Sequence, residues 1–484
     1  MNNARARRVL AGLALSLLPL SACSRAPETD PRMVSEWMHT LYGVVRTERI
    51  GPPVASRMLA YASIALHEGL AAATPGMPSL AGVVNGLASL PAAEPGQRYD
   101  ATIVAVAAER AVLDSFMVQA LPTTRSTVAG LADSLIAARM AGGVAEAVME
   151  RSVALGRQVG DAVFAASRTD GFAGTRGRPY APPSGPGFWY NDAPGTLFAA
   201  QSMSGVTDFV GLDNPANTLR PGAASDRGMV LDRPKPANPT LPALNIAGVT
   251  EPYWGEVRPF LLRTWNECTI PEPPPYSTDT ASVLYRNARA VYEARAALTE
   301  EQRTIALYWA DNPGETGTPV GHWVAIASQM IGRRGLDAPA SARLFVATAT
   351  AVADAFIAAW GYKFQYNLIR PRAYIRRVID PAWEPLIPTP PFPEHPAGHA
   401  TQSAAAAGAI IGLIGDGPFD DSTSIAIGHQ ARRFDSFLAA ADEAGISRLY
   451  GGIHFPSGND AGRDLGRCIG ARVTERLGGT AADR

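Results

Sequence analysis

At 484 residues, with 46% hydrophobic and 18% charged side chains, the chain can bury a large core and has a globular rather than a disordered composition. A formal net charge of −1 leaves no electrostatic footprint for nucleic acid or for an anionic membrane surface. Any anion must therefore be met locally.

The N-terminus departs from that background. Arg5, Arg7 and Arg8 precede an apolar run from Val9 to Leu20, which ends in Leu20-Ser21-Ala22-Cys23. A positive region, an apolar region and a small-residue cleavage site make residues 1–22 a signal peptide. The ending resembles a bacterial lipobox, which implies cleavage before Cys23 and lipidation of its thiol. Ser24, rather than Asp, follows the cysteine. By analogy with bacterial lipoproteins this favours the outer membrane, facing the periplasm or the cell surface. Residues 23–32 read as a tether, and one domain, 33–484, begins near Met33. In such an oxidising compartment Cys268 and Cys468 can pair, or can equally stay reduced and buried.

The periodicity predicts helices from Pro53 through Met58–His67, over Ala101–Met117, Thr124–Met140 and Val144–Ser167, with apolar residues at three- and four-residue steps. From about Gly171 to Gly255 (171–255) the composition shifts to Pro, Gly and Asn. A stretch this long without regular structure is read as a cover over the domain, because it carries Trp189, Tyr190, Tyr253 and Trp254. Helices resume over Asp279–Leu298, then from the capping box Thr299-Glu300-Glu301-Gln302, then over Gly317–Ile331 and Ala340–Trp360. No useful strand alternation occurs, so the fold is predicted to be all-α, a multi-helix bundle. The apolar stretch Leu344–Ala359 is broken by Asp354, which leaves the lipid as the only membrane attachment.

The chain is organised around Pro391-Phe392-Pro393-Glu394-His395-Pro396-Ala397-Gly398-His399. The prolines stop at Pro396 and alanines follow, so His399 is expected in the first turn of a helix, where free backbone N–H groups form an anion site. Lys363 and Arg370 stand seven residues apart. That spacing predicts one helical face carrying two cations, with Pro371 ending the helix. Arg448 and His454 flank the glycines of Tyr450-Gly451-Gly452-Ile453. Arg forks and a Lys point charge suit a tetrahedral oxyanion. Singly, each piece has an ordinary structural explanation: a solvated Lys/Arg face, a core histidine, an arginine holding a buried acid.

In order, Lys363-x6-Arg370-Pro371, Pro396-Ala397-Gly398-His399 and Ser447-Arg448-x5-His454 resemble the three-part signature of the type 2 phosphatidic acid phosphatase and vanadium-dependent haloperoxidase superfamily. Trp360-Gly361-Tyr362-Lys363, Pro390-Pro391-Phe392-Pro393, Tyr308-Trp309-Ala310-Asp311 and the Tyr253–Phe260 stretch are similar to its secreted haloperoxidase branch. The resemblance implies that Lys363, Arg370, Arg448 and the Gly398 N–H hold vanadate, with His454 as the axial vanadium ligand. His399 is then the acid–base group, and Asp311 pairs with Arg448 from the rear. Phe392 falls where chlorinating members carry an aromatic residue and brominating ones a histidine.

Two positions depart from the pattern. The serine before Gly-His is Ala397, which removes a donor worth roughly 1.5–3 kcal/mol to a charged acceptor. The aspartate expected four residues after the second histidine is Gly458, and Asp460 is the replacement expected to orient His454. His395 is an added imidazole beside the pocket.

The resemblance implies a vanadate-dependent haloperoxidase that takes hydrogen peroxide, a halide and a small organic acceptor. Two alternatives share the site. One is an acid phosphatase in which His454 forms a phosphohistidine and His399 protonates the leaving oxygen. The other is a non-catalytic lipoprotein that binds phosphate or vanadate.

Overall fold

The computed structural model describes residues 29–192 and 249–478. The lipobox-like stretch with Cys23, and the middle of the segment 171–255 expected to cover the domain, lie outside the described residues. The N-terminal half is helical: α1 (Arg32–Thr47), α2 (Pro52–Ala73), α3 (Ala101–Phe116), α4 (Pro122–Ala141), α5 (Glu146–Ser167) and the single turn α6 (Phe172–Thr175). Pro52 and Pro53 start α2, where a missing N–H costs nothing, and Asp100 caps α3 by accepting from Ile103 N. Helix α2 is buried on every side from Pro53 to Leu70, as its all-round apolar sequence requires.

The second half comprises α7 (Val283–Ala296), α8 (Glu300–Tyr308), α9 (Thr318–Arg334), α10 (Ala338–Tyr366), α11 (Pro371–Val378) and α12 (Gly398–Ile414). A short antiparallel pair, β1 (Phe419–Asp421) and β2 (Arg432–Phe434), then precedes α13 (Phe437–Tyr450) and α14 (Pro456–Arg476). The capping box is formed at α8, with Thr299 accepting from Gln302 N and the Gln302 side chain accepting from Thr299 N. The molecule is all-α in class, with β1–β2 as the one sheet among the described residues.

Helix α10 is the axis of the bundle and packs against α1, α2, α9, α12 and α14. Its length and composition would suit a membrane span, yet 94% of its most apolar window is buried inside the protein. The charge within it has a structural use. Asp354 accepts hydrogen bonds from Phe260 N (2.6 Å), Leu261 N and Leu262 N (2.8 Å each), fixing the segment that follows the cover. The described ends of that cover are also anchored. Trp189 N donates to Asn367 O (2.7 Å) and Thr250 N to Pro391 O (3.0 Å), and Trp189 and Trp254 are buried. Cys268 and Cys468 form a disulfide, joining the segment before α7 to α14 across 200 residues.

Helices α12 and α14 approach each other closely. Gly462, Gly466 and Gly470 recur every four residues along one face of α14, against Ala397, Thr401 and Ala405 on the same spacing. A Cβ at Gly462 would stand 2.6 Å from Ala397 O, one at Gly470 would stand 2.8 Å from Ala405 O, and one at Gly466 would overlap Thr401 O. Only glycines let the backbones meet this closely. Ala397 N donates to Gly458 O at 2.9 Å, tying the starts of the two helices together.

Gly466→Ala is therefore expected to destabilise the protein by about 1–3 kcal/mol or more through overpacking against a backbone oxygen. Gly130→Ala, on α4 with open space around it, should be neutral or slightly stabilising. Chemical denaturation of both variants checks the contrast, and equal midpoints would contradict it.

Candidate active site

The loop Pro391–Pro396 delivers the chain to α12, with a cis bond between His395 and Pro396. Its carbonyls are gathered by Lys363, in the last turn of α10. The buried Nζ donates to Pro393 O (3.1 Å), Glu394 O (2.9 Å) and Pro396 O. Burial, then neighbouring Arg370, holds the Lys363 ammonium well below its usual range, and Glu394 opposes the shift. His399 does sit in the first turn of α12, as its sequence context predicts. The N-cap, Ala397, contributes no side-chain bond, and the first N–H groups of α12 have no intrahelical partner.

Lys363 and Arg370 do not share a helix. Asn367, at φ 49°, ends α10, and Pro371 starts α11 rather than ending a helix, with Arg370 as the N-cap residue. The spacing argument fails because Asn tolerates the left-handed turn and Pro is favoured at a first helical position. Both cations nevertheless reach the same region. Arg370 donates from Nε to Phe392 O (2.7 Å) and from Nη1 to Ile453 O (2.9 Å) and His454 Nε2 (3.0 Å). Arg448, in the last turn of α13, donates from Nη1 to Trp309 O at 2.8 Å.

His454 is held from both ring nitrogens. Nδ1 lies 2.8 Å from Glu394 Oε1. Because arginine can only donate, Nε2 must be the acceptor towards Arg370, so Nδ1 carries the proton and donates it to Glu394. Burial, followed by Arg370, Lys363, Arg448 and His399, keeps His454 well below the usual histidine range. Burial and Arg448 do the same to His399. The bond from Arg370 makes His454 a neutral imidazole, and Lys363, Arg370, Arg448 and His399 all act on it electrostatically.

His399, Arg448 and His454 border a cavity of about 50 Å³, large enough for a small anion together with a water-sized partner, whereas Lys363 and Arg370, expected in the same pocket, stand behind its wall and reach it through the loop carbonyls and His454. Gly398, His399, Arg448, His454 and Asp311 supply its polar wall, and Trp360, Phe392, Phe356 and a set of prolines the rest. Phe392 packs on Trp360 (ring centroids 4.8 Å apart) beneath the Arg370 guanidinium, and Trp360 Nε1 donates to Thr250 O.

Three supporting roles expected from the sequence are corrected. Asp311 borders the cavity but pairs with His322 Nδ1 (2.9 Å), and the Arg448 bond goes to the Trp309 carbonyl instead. Asp460 is exposed and pairs with Arg463, because its position on α14 points away from α12. His395 packs edge-on to Tyr366 and bonds to Pro271 O, outside the cavity wall. Sequence reasoning missed Glu394 as a functional group, although it stands inside the central loop. It also missed the buried chain Asp311–His322–Asp421–Tyr308, whose links measure 2.9, 2.7 and 2.7 Å.

Among the described residues, Arg370 Nη2, Arg448 Nε and His399 Nε2 are buried and have no hydrogen-bond partner. An unpaired buried donor is costly, so the two arginine nitrogens, beside the free N–H groups of α12, fit a bound oxyanion, while His399 Nε2, on a ring whose other nitrogen bonds towards the Trp309 carbonyl, offers a lone pair to a proton on it. Residues 343–481 match the family described as the VCPO second helical-bundle domain. The fold is similar to that of a bacterial vanadium-dependent iodoperoxidase, at 30% identity and a TM-score of 0.75, over 92% of this chain and 96% of the other. It is also similar to bacterial vanadium-dependent chloroperoxidases. The holo form has 17% identity and a TM-score of 0.59, over 90% of this chain and 93% of that one. The apo form has 15% identity and a TM-score of 0.63, over 94% and 98%. No curated protein matches the chain in sequence. The chain belongs to the vanadium-dependent haloperoxidase family.

The buried His322 supplies a test of the charge network behind Asp311. Burial alone would lower its pKa, but Asp311 and then Asp421 override this and raise it to about 10. A histidine raised above its unfolded value of about 6.5 contributes stability that is complete below that pH and is lost as pH rises through the folded value. Asp421, held well below the usual carboxylate range, loses its contribution only in strong acid. Stability should therefore fall between about pH 6.5 and 10 in the wild type and less so in His322→Gln. Denaturation midpoints that run parallel across this window would contradict the network.

Proposed function

We propose that the protein is a vanadate-dependent haloperoxidase using Lys363, Arg370, Arg448, His399 and His454. The observation that carries the reading is the buried set of unpartnered nitrogens on Arg370, Arg448 and His399, beside a His454 whose Nε2 lone pair faces cations. Vanadate, when bound, supplies Lewis-acid activation of peroxide towards halide without a change in metal oxidation state. The residues do the rest. Arg370, Arg448 and the N-terminus of α12 balance the oxyanion charge, and Lys363 holds the loop that presents them. His454 would hold the vanadium through Nε2. His399, neutral and buried, accepts a proton from peroxide at Nε2 and returns it to the departing oxygen. The net reaction takes halide, hydrogen peroxide and one proton to hypohalous acid and water, and the hypohalous acid halogenates an organic acceptor. The 30%-identical relative is described as an iodoperoxidase, which makes iodide the first halide to test, with bromide second.

The second reading, an acid phosphatase, is favoured by the same Nε2 lone pair, which could attack phosphorus as readily as bind vanadium. Vanadate should activate a haloperoxidase and inhibit a phosphatase. The vanadate-loaded protein is expected to halogenate an activated acceptor with peroxide and iodide or bromide, faster than it hydrolyses an aryl phosphate. Hydrolysis blocked by vanadate, without halogenation at any pH, would transfer the protein to the phosphatase class. Binding without either activity would favour the non-catalytic alternative.

His454→Ala should abolish vanadate binding, whereas His399→Ala should bind vanadate and lose turnover. Ala397→Ser should tighten vanadate by about one power of ten, because a hydroxyl at the N-cap would face a charged oxygen. Unchanged affinity in Ala397→Ser would place the anion away from the start of α12.

The attachment inferred from Leu20–Cys23 is likewise a proposal: a lipid on Cys23, at the outer membrane. Mass spectrometry of the mature N-terminus checks it, and an unmodified cysteine would overturn it.

A further inference from the structure

We propose that Glu394 is the positioning residue for His454, and that Gly458 is glycine because the Glu394 carboxylate occupies the space its side chain would fill. The proposal rests on the reading of His454 as the residue that meets the anion.

Glu394 Oε1 accepts two bonds, from His454 Nδ1 (2.8 Å) and from the next backbone N–H, Phe455 N (2.9 Å). It thereby fixes both the ring and the chain that carries it. The carboxylate is fully buried, and its own backbone is pinned, with N donating to Leu368 O (3.0 Å) and O accepting from Lys363 Nζ (2.9 Å). A Cβ at Gly458 would lie 2.7 Å from Glu394 Oε2 and overlap Oε1. Gly458 stands one helical turn beyond His454, where a side chain on α14 would otherwise reach the imidazole. The acid instead arrives from the loop before α12. The nearby α14 acid, Asp460, is exposed and engaged by Arg463, so Glu394 is the carboxylate on His454. Together with the Arg370 bond to Nε2 it holds the Nδ1–H tautomer, with the Nε2 lone pair turned towards Arg370 and the anion site.

The test is a reciprocal exchange read in two ways: ¹⁵N chemical shifts of His454 without any anion, and orthovanadate affinity by equilibrium dialysis. Glu394→Ala should lose the single Nδ1–H tautomer and weaken orthovanadate by about 10- to 100-fold. Gly458→Asp should also weaken it, because two carboxylates cannot share the space. The double variant Glu394→Ala/Gly458→Asp should restore the tautomer and bind within a few-fold of wild type. Glu394→Gln, which keeps an accepting oxygen of the same shape, should retain the Nδ1–H tautomer and guards against a misfolded alanine variant. An unchanged tautomer and affinity in Glu394→Ala, or losses in the double variant that multiply, would overturn the proposal. A wild type that binds no orthovanadate but shows the Nδ1–H tautomer, lost in Glu394→Ala, would sink the haloperoxidase reading and leave the positioning role standing.

Discussion

The structure depends on the close approach of α12 and α14. Its sequence cause is a four-residue glycine repeat meeting a four-residue repeat of alanine and threonine, which removes the side-chain layer that normally separates packed helices. The consequence falls at the N-terminal ends. His399 opens α12 and His454 immediately precedes α14, so bringing the two helix starts together brings the two histidines to one cavity. The bond from Ala397 N to Gly458 O closes that junction. The site is thus a by-product of backbone proximity, and it inherits the rigidity of the core beneath it.

That proximity concentrates positive charge, which the rest of the site must accommodate. Lys363, Arg370 and Arg448 are all buried, and burial works against the charge on each. The chain meets this largely with backbone carbonyls: those of Pro393, Glu394 and Pro396 for Lys363, of Phe392 and Ile453 for Arg370, and of Trp309 for Arg448. Carbonyls satisfy donors without cancelling charge, so the cavity keeps its attraction for an anion. Glu394 is the exception. Burial outweighs the opposing pull of Lys363 and Arg370 and raises its carboxyl to about 7, and its bonds are spent on His454 and Phe455.

Much of this was legible in the sequence, for identifiable reasons. Helices such as α3 and α5 announce themselves by apolar spacing, α8 by its capping box, and the first turn of α12 by prolines giving way to alanines. Those are local signals, and local chemistry decides them. The Lys363–Arg370 pair was misread because spacing alone cannot reveal the left-handed turn at Asn367. Asp460 was misassigned and Glu394 overlooked for a related reason. The orienting acid was sought along α14, whereas it comes from a loop 60 residues earlier that only tertiary packing brings near. The pairing of Asp311 with His322, and the disulfide between Cys268 and Cys468, likewise rest on contacts that no local pattern encodes.

The central claim is that the unpartnered nitrogens of Arg370, Arg448 and His399 and the lone pair of His454 belong to one oxyanion. A crystal structure of the protein soaked in orthovanadate tests it most directly. The account predicts a single anion at the start of α12, bonded to His454 Nε2, with Arg370 Nη2 and Arg448 Nε on its oxygens. An anion bound elsewhere, or one that leaves His454 still accepting from Arg370, would contradict it.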